Sequence, residues 1–85
     1  MKTKIGEFIV QDSQGFIEIV TQGCMVCFFQ KRKCDGEMIV ELHEVHDRIT
    51  SLEYDKEDFY KAIRVGRKLA EVLLDFVTST TPKEK

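Results

Sequence analysis

No stretch of this sequence approaches the ~20 consecutive apolar residues of a membrane span. Nor is there an excess of positive charge. Thirteen lysines and arginines stand against fifteen acidic residues, for a formal charge of −2, whereas dedicated duplex-DNA binders are clearly basic. There is no glycine-rich phosphate loop, since Gly36 and Gly66 stand alone. No nucleophile elbow or hydrolytic triad can be placed, and no internal repeat is visible. The opening, MKTKIGEFIVQDSQG, has two lysines but neither an apolar core nor a small-residue cleavage site. The expectation is no signal peptide and a cytoplasmic location. Three cysteines are an odd count, and without a secretory context they are expected as reduced thiols. The one proline falls in the last residues, so 1–78 is read as a single α+β domain and 79–85 as a frayed polar tail.

What is present is a series of apolar, β-branched and aromatic runs. They are IGEFIVQ (5–11), FIEIVTQ (16–22), CMVCFFQKRK (24–33) and EMIVELHEV (37–45), separated by DSQG, QG and DG. Such separators favour turns because glycine reaches positive φ freely, and Asp35-Gly36 is the strongest hairpin signal. The reading is an antiparallel β-meander of four strands, with 48–54 as a candidate fifth. One long C-terminal helix follows. Asp55 is its expected N-cap, with Glu57 and Asp58 in the first turn. Phe59, Ile63, Gly66, Ala70, Leu73 and Val77 form its apolar stripe, widened by Ala62, Leu69, Val72 and Phe76. Gly66 is expected to let the helix approach the sheet. The fold class is therefore α+β, with the helix on one sheet face.

Side chains alternate along strands, so the turns assign faces. Two-residue turns at 22–23 and 35–36 and a four-residue loop at 12–15 put Phe8, Val10, Ile17, Ile19, Val26, Phe28 and Val45 on a core face. Phe16, Val20, Met25, Phe29, Val40 and Leu42, with Ile9 and Cys27, then fall on a second face that has nothing to cover it. An uncovered apolar face of this kind marks an interaction site. The expectation is a small non-enzymatic interaction or regulatory module. Its partner would be itself, as a homodimer, or a larger protein, and Phe29→Glu would separate the dimer.

An alternative reading is a single-stranded nucleic-acid binder. Phe16 and Phe29 would stack on bases, and Lys31, Arg32, Lys33, Arg64, Arg67 and Lys68 would meet phosphates. The layout, a meander followed by one long helix, is similar to that of Whirly-like single-strand-binding dimers, although no residue motif carries the likeness. A zinc site from Cys24-x-x-Cys27 and His43-x-x-His46 is opposed by strand geometry, which points each pair to opposite faces. A redox role for CMVC lacks the helix N-terminus that activates such thiols. No metal, cofactor, small-molecule substrate or catalytic residue is expected.

Overall fold

Three short pairs bend the chain. Gln14-Gly15, Gln22-Gly23 and Asp35-Gly36 have positive φ at both residues, at 45° and 97°, 52° and 75°, and 54° and 83°. That backbone matches the twist of flanking antiparallel strands in a two-residue hairpin. A fourth reversal at Gly6-Glu7, with Gly6 at φ 59°, divides what the sequence suggested was one strand over 5–11. The computed structural model describes residues 2–45 and 53–73. These form β1 (Lys2–Ile5), β2 (Phe8–Ser13), β3 (Phe16–Thr21), β4 (Cys24–Cys34), β5 (Glu37–Glu44) and one helix, α1 (Lys56–Leu73).

The strands make one five-stranded antiparallel sheet in chain order. The expected α+β meander with a helix on one face is therefore found. The additional strand is β1, at the amino-terminal edge. Of the 48–54 candidate, 48–52 lie outside the described residues and 53–55 are not in a strand. The expected helix continuation over 74–77 and the tail 79–85 also lie outside them.

The helix begins as the sequence indicates. Asp55 Oδ1 accepts hydrogen bonds from the main-chain N–H of Glu57 (2.8 Å) and Asp58 (3.1 Å), satisfying donors that have no partner within a helix. The Asp55 N–H donates to Glu7 Oε2 at 3.3 Å. A Cβ on Gly6 would run into the Asp58 carboxylate, so the β1–β2 turn seats directly on the helix start. Along its inner side α1 places Ala62 and Ala70, both fully buried, against Phe8, Val10, Ile17, Ile19, Cys27 and Phe29. Gly66 faces the Phe29 ring. A Cβ there would lie 2.8 Å from Phe29 Cε2 and 3.4 Å from Ile19 Cδ1.

The two faces are settled by one extra residue. The β4–β5 register is the expected one, with Phe29 opposite Leu42 and Phe28 opposite His43. In the β2–β3 hairpin the loop is two residues rather than four, and Val10 meets Ile19. That shift of two leaves every side chain on its expected face. The β3–β4 hairpin differs. Val20 pairs with Met25 but Ile19 pairs with Cys27, so Val26 is bulged out of the ladder. A bulge sets two consecutive residues against one partner, and here Val26 and Cys27 are both fully buried. From Cys27 onward β4 is inverted relative to the expectation, and β5 follows it.

The correction falls on named residues. Phe29, Val40 and Leu42 were expected on the uncovered face; Phe29 is fully buried beneath α1, and Val40 and Leu42 pack against the same core. Phe28, expected in the core, stands on the open face, and His43 with it. Phe16, Val20 and Met25 keep the expected face.

Candidate interaction face

The face away from α1 takes its apolar side chains from β2 to β5, with Lys2 and Lys4 of β1 along one edge. Ile9, Val20 and Met25 lie side by side, because Ile9 pairs with Val20 and Val20 with Met25. Beside them three rings run across three strands. Phe16 and Phe28 have centroids 5.0 Å apart at 48°, and Phe28 and His43 are stacked at 4.8 Å and 13°. Ring pairs at such spacing add ~0.5–1.5 kcal/mol beyond their area burial. Ile39, opposite Arg32, extends the strip toward the β4–β5 turn. All these side chains are half-buried by one another, and no described element packs over them.

Some polar groups on this face pair with one another, while Lys2 and Lys4 stand on it opposite Gln11 and Ile9. Gln11 Nε2 donates to Glu18 Oε1 at 2.8 Å. Arg32 Nε lies 2.9 Å from Glu41 Oε2. His43 Nε2 lies 3.2 Å from Glu41 Oε1, at ion-pair distance but without the alignment of a hydrogen bond. Polar groups thus border the apolar strip, and among them Glu18 and Glu41 are engaged by Gln11 and Arg32.

The expected phosphate-binding cations are divided between the two sides of the sheet. Arg32 shares the ring face. Lys31 and Lys33 project with Phe29 on the helix side, where Lys31 Nζ donates to the Glu71 carbonyl at 3.0 Å. Arg64, Arg67 and Lys68 line a shallow depression of about 290 Å³ on the flank of α1, with Ile63 and Glu71. The Arg67 guanidinium sits 5.2 Å above the Phe29 ring. Phe16 and Phe29, the expected stacking pair, are thus on opposite faces, and the rings that do adjoin are Phe16, Phe28 and His43.

The cysteines and histidines are similarly separated. Cys27 is in the core and His43 on the open face, while Cys24 is half-buried and Cys34 exposed. His46 lies outside the described residues. Among the described residues no three histidine, cysteine or carboxylate side chains gather as a metal-holding group.

Burial, with the negative charge of Glu44 beside it, pushes the Cys27 thiol up from 9.0 to about 12. The protonated thiol is the form the fold prefers. Its contribution is complete below pH 9 and is lost as pH rises toward 12, at up to about 1.4 kcal/mol per pH unit. Urea unfolding between pH 8 and pH 10.5 is therefore expected to show an alkaline loss of stability that Cys27→Ala reduces. Equal slopes in the two proteins would contradict the assignment. Thiol labelling is expected to modify Cys34 rapidly and Cys27 only on unfolding.

Phe28, Ile39 and His43 are the face residues that sequence reasoning missed. The signal was present in the run MVCFF, five apolar residues without alternation. A regular strand reading put Phe29, Val40 and Leu42 all on an uncovered face, and that excess of apolar side chains in water is what a bulge relieves. No helix among the described residues is long and apolar enough to cross a membrane. Comparison with known proteins finds no matching family model, no similar curated protein and no similar solved structure.

Proposed function

We propose that this chain is a non-enzymatic protein-interaction module that acts as a homodimer and presents its helix-free sheet face to a second protein. The observation that carries the docking face is the apolar strip of Ile9, Phe16, Val20, Met25 and Phe28, which no described element covers. Such a surface suits an apolar protein patch, with Glu18 and Glu41 beside it already engaged by Gln11 and Arg32. A nucleic-acid strand needs rings and cations on one surface; Lys31, Lys33, Arg64, Arg67 and Lys68 lie on the helix side, Arg32 is engaged by Glu41, and Lys2 and Lys4 lie at the β1 edge, two strands from Phe16. The non-enzymatic reading draws on the placement of Cys27 in the core and His43 on the opposite face, which keeps these two from acting as a thiol–imidazole pair.

The test compares the proteins captured by the wild-type chain with those captured by Phe28→Glu and Arg64→Glu. A central aromatic anchor contributes about 2 kcal/mol or more to binding, so Phe28→Glu is expected to weaken capture of a defined partner about thirtyfold. Arg64→Glu is expected to leave it unchanged. The reading fails if Arg64→Glu abolishes capture and Phe28→Glu does not. It also fails if a single-stranded oligonucleotide binds with steep salt dependence and Phe28→Glu removes that binding.

A further inference from the structure

The sheet ends at β1 and β5, and β5 is the longer edge, eight residues over Glu37–Glu44. Natural edge strands are usually blunted by proline, a bulge or lysines. The β5 sequence EMIVELHE contains neither proline nor lysine, and its pairing with β4 is unbroken. Its outer side pairs with no strand among the described residues.

The direction of its main-chain groups is fixed. Cys34 and Glu37 flank the two-residue turn, and Val45 N–H donates inward to the Val26 carbonyl at 2.9 Å. Inward and outward groups alternate along an antiparallel strand. The odd-numbered residues of β5 therefore bond to β4, while Met38, Val40, Leu42 and Glu44 turn their N–H and C=O outward. The side chains of Met38, Val40 and Leu42 lie on the helix side. There α1, packed mainly over β2 to β4, covers them only in part, and Met38 is 39% exposed. Unused hydrogen-bonding groups and partly covered apolar side chains thus meet along one line.

We propose that β5 pairs antiparallel with β5 of a second copy about a two-fold axis at Val40. This joins the two sheets into one, with both helices on the same side. The proposal rests on the homodimer reading above and supplies its seam. Charge selects the register. Centred on Val40, Glu37 faces the partner's His43, Met38 faces the partner's Leu42, and Ile39 faces the partner's Glu41. The next register that keeps the outward groups paired, centred on Glu41, sets Glu41 against its own copy. The one before, centred on Ile39, sets Glu37 against the partner's Glu41. Like charges directly opposite destabilise a strand pair; of these three registers only the Val40 one avoids them, and registers centred further out, on Met38 or Leu42, pair fewer residues of β5. Val40 and Leu42, expected from the sequence at a dimer interface, return to one by way of the edge. The open faces of the two copies become neighbours in a single docking surface.

The test uses the full chain and reads molar mass by light scattering together with amide hydrogen exchange. The wild type is expected to be a dimer, with the Val40 and Leu42 amides protected in proportion to dimer formation. Val40→Pro removes an outward donor and leaves the β4 ladder intact. It is expected to halve the mass while keeping the circular dichroism of the fold. Phe28→Glu, on the open face, is expected to remain dimeric. Should Val40→Pro misfold, exchange in the unmodified chain reads the same seam. A dimer in which the Met38, Val40 and Leu42 amides exchange freely would overturn the proposal. So would a dimer that Phe28→Glu splits and Val40→Pro does not; in both cases the homodimer reading survives with its seam elsewhere. A monomeric wild type would overturn the seam and the homodimer together, leaving the docking face to its own test.

Discussion

Phe29→Ala is expected to destabilise the fold by about 3–5 kcal/mol, and Phe29→Glu to unfold it rather than divide a dimer. Phe29 is fully buried, with Gly66 of the helix against one edge of its ring and the Arg67 guanidinium over it. Truncation leaves a cavity between helix and sheet that neither can collapse to fill. A glutamate in the same place puts a carboxylate among Ile17, Ile19 and Cys27, and the exposed Arg67 guanidinium offsets only part of its desolvation. A domain of 85 residues has about 4–13 kcal/mol of total stability, so either change removes a large part of it. Urea denaturation followed by circular dichroism reads the loss for Phe29→Ala. A folded Phe29→Glu monomer of wild-type stability would place this residue on a contact surface and contradict the register described above.

Gly66→Ala is expected to reverse the sign that helix propensity assigns. In an exposed helix the change would stabilise by about 1 kcal/mol. Here the added methyl would stand 2.8 Å from Phe29 Cε2 and 3.0 Å from Cδ2. The ring cannot swing aside, because Ile17, Ile19 and Cys27 pack with it in the same core. The helix must lift or the ring must leave its rotamer, and overpacking of this kind costs about 1–3 kcal/mol. Set against the propensity gain, the net expectation is a loss of up to about 2 kcal/mol, with a fall in melting temperature of roughly 4–8 °C per kcal/mol for a domain of this size. A rise in melting temperature would show that the helix rides further from the sheet than these distances place it.

The two expectations share a residue, and they show which levels of structure the sequence carried legibly. Turn chemistry was plain. Asp35-Gly36 fixed the β4–β5 register so firmly that Phe29–Leu42 and Phe28–His43 follow by counting. The Asp55 cap and the packing role of Gly66 also follow from local rules, since capping and close helix approach depend on residue type at one position. Two features escaped. β1, with the sequence KTKI, has too little apolar alternation to announce a strand, and the need for glycine at position 6 comes in part from the distant Asp58 carboxylate, which a Cβ there would meet. The bulge at Val26 escaped because it is decided by burial under a helix some forty residues downstream, not by any turn signal. One unpaired residue moved Phe29, Val40 and Leu42 from one side of the sheet to the other, and with them half of the candidate interface. The face itself survived because Phe16, Val20 and Met25 precede or border the bulge.

The order of elements has a consequence for synthesis. Every strand pairs with its chain neighbour, so the hairpins are local and form on a timescale of about 1–10 μs. Among the described residues the contacts of longest range are made by the helix and the segment leading into it, where Asp55 meets Glu7 across 48 residues. On a ribosome the meander emerges first and its cover last. The roughly 30 residues from the end of β5 to the end of α1 take a few seconds at ~5–20 residues per second. For that interval Phe8, Ile17 and Phe29 have no helix over them, and the β5 edge lies open beside them. The nascent chain is thus most vulnerable to aggregation after its sheet can form and before its lid exists.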